Sequence, residues 1–172
     1  MVNCAPRETD KYAESAASYD RLHKEEQLRK MKLILANFDF QGEEKLLDVG
    51  CGTGFTLALW PVKEAVGAEP SHAMIMRAPP LVQAKIFNVR AEDLSMFEDR
   101  EFDVVVSITA IHNFTGIEDG LKEMKRVGKK RFIFTVLKKS AAFNEIDMLI
   151  KRHFSVEKVL DDDQHDTIYF CS

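Results

Sequence analysis

Leu46-Leu47-Asp48-Val49-Gly50-Cys51-Gly52-Thr53-Gly54 is the stretch from which the fold can be read. Lys45 to Val49 is apolar except for Asp48 and predicts a short strand, which runs straight into a turn with a glycine at every second position. Glycines there let the backbone turn sharply and approach a ligand, because side chains would fill the ligand's space or force unfavourable dihedrals. The spacing is G-x-G-x-G, and Phe55 stands where a dinucleotide fingerprint would carry its third glycine, which argues against a nicotinamide cofactor.

Working outward, Leu22, Leu28, Met31, Ile34, Leu35 and Phe38 recur at helical spacing before the strand, with Glu26 and Lys30 one turn apart among the charged residues. After the glycine turn a brief helix is expected near Phe55, limited by Pro61. A second strand is expected over Ala65 to Glu69, and a helix over Ser71 to Ala78 that Ser71 caps and Pro79-Pro80 stops. Further strands are expected over Ala84 to Val89, Phe102 to Ile108 and Arg131 to Leu137, with a helix over Ile117 to Val127 ended by Gly128. A last helix, Ser140 to Arg152, precedes two strands, Phe154 to Leu160 and Thr167 to Cys171, around an acidic turn. Regular alternation followed by a strand pair implies an α/β sandwich with a mostly parallel sheet closed by one antiparallel hairpin.

The 172 residues suit one domain, with a helical N-terminal segment over 1–40 and an α/β core over 43–172. The net charge of −4 argues against a surface tuned for a phosphate backbone. Cys4, Cys51 and Cys171 are too scattered for a disulfide framework or a zinc site. The polar N-terminus and the lack of a long apolar run predict a cytoplasmic protein with no membrane span.

These motifs together resemble the class I, seven-stranded, Rossmann-like methyltransferases that depend on S-adenosylmethionine. Asp48 to Gly54 is similar to the family's first motif, Val66-Gly67-Ala68-Glu69-Pro70-Ser71 to its ribose-binding segment, and Ala91-Glu92-Asp93-Leu94 to the stretch after its third strand. Phe102 to Ser107 resembles the fourth-strand motif, and Leu121 to Val127 the helix after it. The resemblance implies a Rossmann-like three-layer sandwich that binds S-adenosylmethionine and releases S-adenosylhomocysteine. It also implies that Asp48, Gly50, Cys51, Gly52 and Gly54 hold the methionine end, that Glu69 and Pro70 hold the ribose, and that Ala91 and Glu92 lie by the adenine. Arg90 stands where the family often has an aspartate, which leaves Glu92 to meet the adenine amino group. Tyr19 would close over the cofactor and Ser107 would floor the crevice near the methionine.

Methyl transfer from a sulfonium is dominated by positioning, and a general base is needed only when the accepting atom is protonated. His112, just beyond the fourth strand, is the candidate base; the alternative is that His112 and Asn113 satisfy backbone groups in their loop. Asp161-Asp162-Asp163 with His165 and Asp166 reads as a solvated hairpin turn rather than a metal site, and the pairs and triplets of Lys and Arg read as solvated element ends. Ser107-Ile108-Thr109-Ala110 in place of an Asn/Asp-Pro-Pro-aromatic motif disfavours methylation of base or glutamine amide nitrogens. The expected acceptor is a small molecule. The alternatives are RNA or protein, with a partner subunit or a second copy completing the site, or a module that binds S-adenosylmethionine without catalysis.

Overall fold

Val104-Val105-Val106 is apolar on both sides of a strand, so it needs cover on both faces and takes the middle of a sheet. The computed structural model, which describes residues 16–161 and 165–172 and the side chains of its first helix from Lys24 onward, places this run in β4, Phe102–Ile108. The other strands are β1 (Lys45–Val49), β2 (Glu64–Ala68), β3 (Ile86–Phe87), β5 (Gly128–Leu137), β6 (Val156–Leu160) and β7 (Asp166–Cys171). They form one seven-stranded sheet in the order β3-β2-β1-β4-β5-β7-β6. β1 to β5 run parallel, while β7 is antiparallel to both β5 and β6. The chain thus has the expected Rossmann-like sandwich with a C-terminal antiparallel pair.

Alternation along the strands divides the core in two. Leu47, Val49, Val105, Phe132, Phe134 and Val136 face α4 (Ile117–Val127) and α5 (Phe143–His153), which bury Leu121, Met124, Ile146 and Ile150 against them. Leu46, Val104, Val106, Ile133 and Ile168 face the opposite way, under Met31 and Ile34 of α1 (Ala16–Asn37) and under Trp60. Leu35, expected with the apolar stripe, is exposed instead, and Lys30 takes a fully buried place on the face that carries Met31 and Ile34.

Several expected boundaries move, among them the starts of α5, at Phe143 rather than Ser140, and β6, at Val156 rather than Phe154. Pro79-Pro80 stops a helix as expected, but the preceding helix shrinks to α2 (His72–Ile75), and Pro80 then opens a new turn of helix, α3 (Pro80–Gln83). α3 uses residues that would have started the third strand, and β3 is left with two. Gly128 ends α4 in extended conformation, with φ −86° and ψ 147°, so β5 begins there without a loop. Ser71 caps α2 by accepting from Met74 N–H.

Among the described residues no helix is long and apolar enough to cross a membrane. None of their His, Cys, Asp and Glu side chains group to hold a metal ion. The acidic hairpin is not wholly solvated, since Asp166 is fully buried; 162–164 lie outside the described residues.

Candidate cofactor crevice

Strand order reverses between β1 and β4, and an open parallel sheet takes its ligand beyond the C-terminal strand ends at such a point. Gly50, Gly52 and Gly54 occupy that place with φ of 79°, 60° and 67°, a region that residues with a Cβ enter at a cost. Gly50 has a second constraint: a Cβ there would lie 2.4 Å from the Cβ of Ala110, in the loop after β4. The turn is closed by backbone bonds from Gly50 N to Ala68 O, 2.8 Å, and from Gly54 N to Cys51 O, 3.0 Å.

Glu69 lies one residue past β2, buried, and clamps the turn from the side. Its Oε2 accepts from Gly52 N–H at 2.9 Å and its Oε1 from Ser71 N–H at 2.8 Å. Burial raises its pKa, and the two amide bonds oppose that rise. Each oxygen keeps a further lone pair that a ribose hydroxyl can use. Asn88 supports the same corner by donating Nδ2–H to the carbonyls of Glu69 and Pro70.

Asp48, next to last in β1, accepts from the Thr56 hydroxyl through Oδ2 at 3.0 Å. Its Oδ1 is buried and has no hydrogen-bond partner among the described residues. Burial drives the carboxyl up to about 7, opposed by the Thr56 bond and by the Trp60 indole, whose buried N–H faces the carboxyl without reaching hydrogen-bond geometry. An acceptor with only this poorly aligned indole nearby can take a further donor. The ammonium of an amino-acid ligand end has the charge and the donors to satisfy it.

Cys51 packs its sulfur against β2, where a Cβ on Gly67 would meet Sγ at 2.4 Å, and burial holds its thiol well above the ordinary value. A thiol so protonated fills space. Ser107, fully buried in β4, donates Oγ–H to the Val49 carbonyl at 2.9 Å, tying the ends of β1 and β4 beneath the turn. Ala91 is buried near Gly120 of α4. Glu92 accepts from Gly116 N–H through Oε1 at 2.9 Å at the start of α4, and its Oε2 lies 3.6 Å from the Arg90 guanidinium, so both oxygens already face protein groups. The Tyr19 side chain lies outside the described residues.

Beyond β4, Thr109 is a β-branched residue held at φ 55°, a conformation that costs about 1–3 kcal/mol and persists only where surroundings enforce it. A single 3₁₀ turn, Ile111–Asn113, follows. His112 is half-buried there, and its buried Nδ1 has no hydrogen-bond partner among the described residues. Burial lowers its pKa, with Asp166 opposing and Lys30 adding to the fall, so the imidazole is neutral at neutral pH. Sequence reading missed the ion pair beneath this loop: Lys30 and Asp166, both with fully buried side chains, meet at 2.5 Å. The only local sign of it was Lys30 falling between Met31 and the apolar positions one turn away.

The sheet order, with a glycine turn clamped by a buried acid at its switch point, defines a Rossmann-like α/β protein. The comparisons make the class particular. A family model described as a methyltransferase domain matches residues 47–136. The uncharacterized methyltransferase YcgJ of Bacillus subtilis is 33% identical over 106 residues, 57% of this chain and 42% of that protein. Among solved structures, an S-adenosylmethionine-dependent methyltransferase from Aquifex aeolicus matches with a TM-score of 0.67 at 16% identity, covering 82% of this chain and 88% of that one. A chain of the Haloferax volcanii complex containing the Trm112 methyltransferase activator matches with a TM-score of 0.74 at 16% identity, covering 96% and 98%. At such identities these structures speak for the fold. The matched region spans 49% and 42% of the length of two curated relatives. The chain belongs to the class I, Rossmann-like, S-adenosylmethionine-dependent methyltransferase family.

Proposed function

We propose that this chain binds S-adenosylmethionine in the crevice between β1 and β4 and catalyses transfer of its methyl group to a small molecule in the cytoplasm. The observation that carries the reading is the clamped turn: three glycines at positive φ, held by Glu69 through Gly52 N–H and Ser71 N–H at the switch point. When bound, the cofactor supplies an electrophilic methyl carbon on a sulfonium, and the acceptor's lone pair forms the new bond as the carbon–sulfur bond breaks. Glu69 offers free lone pairs to the ribose hydroxyls, and Asp48 offers Oδ1 to the ligand's ammonium. Ser107 keeps the crevice floor fixed. His112, neutral and at the acceptor end, takes the proton of a protonated acceptor.

A small acceptor is favoured over RNA because Thr109 to Gly116, the loop that meets it, contains no Lys or Arg. Within the basic clusters, four side chains already pair with acids: Lys129 with Asp103, Arg131 with Glu44, Lys138 with Asp161 and Lys151 with Asp147. Thermal shift with S-adenosylmethionine, S-adenosylhomocysteine and NAD tests the donor, since a ligand at one hundred times its Kd stabilises by about 2.7 kcal/mol. A shift with NAD alone would overturn the reading. Turnover of labelled S-adenosylmethionine against small amines, alcohols and carboxylates, with RNA and protein as further arms, tests the acceptor. Binding without turnover in every arm would make the chain a non-catalytic module.

A further inference from the structure

We propose that Lys30 and Asp166 are positioning residues of the crevice, acting through Thr109 and Ala110 on the glycine turn; the inference rests on reading that crevice as the S-adenosylmethionine site. The Lys30 ammonium donates to Glu26 Oε1 at 2.6 Å and to Thr109 Oγ1 at 2.7 Å, and forms an ion pair with Asp166 Oδ2 at 2.5 Å. Asp166 Oδ1 lies 3.3 Å from the same Thr109 hydroxyl, and Thr135 Oγ1 accepts from Thr109 N–H at 2.7 Å. Thr109 is therefore held through both its side chain and its amide, by α1, β5 and β7 together, in the left-handed backbone region that a β-branched residue avoids.

That turn of the backbone aims the next residue. Ala110 lands on Gly50 so closely that no side chain fits between them, and His112 follows two positions later. The path from the ion pair to the glycine turn is thus two contacts joined by the Thr109–Ala110 peptide bond. A fully buried ion pair is no more stabilising than well-packed apolar residues of the same volume. What it supplies that apolar residues cannot is directed hydrogen bonds, and here they converge on Thr109.

The test uses the full chain and two variants. Lys30→Met with Asp166→Leu removes the pair without leaving a buried charge alone, and Thr135→Val removes the acceptor of the Thr109 amide while leaving the pair in place. Hydrogen exchange of the unliganded protein is expected to quicken about tenfold at amides 109–114 in both variants while the amides of Met31 and Ile34 stay protected. Calorimetry with S-adenosylhomocysteine is expected to show affinity weakened about fivefold or more in both. Unchanged exchange at 109–114 in the folded variants would overturn the positioning role, and so would a loosened loop with affinity kept. If the double variant does not fold, Thr135→Val decides alone. If the unaltered chain binds no S-adenosylhomocysteine, the cofactor reading fails, and exchange in the unliganded protein still judges what holds Thr109.

Discussion

Asp48 shows how one buried carboxyl links folding to ligand binding. Its pKa of about 7 lies above the value of about 4 of an unfolded aspartate, so between those limits the folded chain holds a proton that the unfolded chain releases. The sign follows: stability falls as pH rises through that window. Asp48→Asn keeps the shape without the charge, and its urea midpoint is expected to decline less than that of the unaltered chain between about pH 4 and pH 7. Parallel midpoint curves would exclude Asp48 as the source. S-adenosylhomocysteine retains the ammonium, so its affinity is expected to rise as Asp48 ionises and to lose that dependence in the variant. At the other end of the crevice, His112→Ala is expected to slow turnover about 10²–10⁴-fold with cofactor affinity kept, if the imidazole takes a proton. Unchanged turnover on an identified acceptor would leave His112 a loop residue. The placement of Asp48, Glu69 and the three glycines around one turn was legible because it follows from local spacing at a strand end. The remaining lone pairs of Glu69 and the bare oxygen of Asp48 were not, because they depend on where Ser71 and Thr56 fold back.

At the scale of elements, the turn after β1 and the loop after β4 form a single packed unit. Gly50→Ala meets two obstacles, a φ of 79° and the Ala110 Cβ at 2.4 Å. It is expected to destabilise by about 1–3 kcal/mol and to weaken S-adenosylhomocysteine binding. Adding Ala110→Gly returns the space but not the favourable dihedral, so recovery measured by chemical denaturation is expected to be partial. Full recovery would show that crowding alone set the cost. The strongly patterned elements, β1, β4 and α4, have the expected boundaries because their apolar residues and flanking glycines agree. β3 and α2 came out shorter than expected because Pro80 can open a helix as well as end one, and nothing local chooses between those roles. β5 reached back to Gly128 through pairing with Phe102 across the sheet, a contact invisible to a pattern read along the chain.

On the scale of the whole molecule, the Lys30–Asp166 pair joins a helix near the N-terminus to the last strand, across the face that α1 covers with Met31 and Ile34. Reading along the sequence found Glu26 and Lys30 as helix neighbours and Asp166 as a turn residue; that Lys30 and Asp166 meet depends on β7 entering the sheet beside β5. Because both side chains are fully buried, the two ways of removing the pair should differ widely in cost. Lys30→Met leaves the Asp166 carboxylate without its buried cation and is expected to destabilise by about 3–5 kcal/mol. Adding Asp166→Leu to Lys30→Met removes the stranded charge and is expected to recover most of that loss. Urea denaturation of the two single variants and the double closes the cycle. A double variant as unstable as the worse single would mean that the volume and bonds around Thr109, rather than the unpaired charge, dominate. A near-neutral double would show that this fold tolerates an apolar substitute at the junction, leaving the directed bonds to Thr109 as what the ion pair contributes to the site.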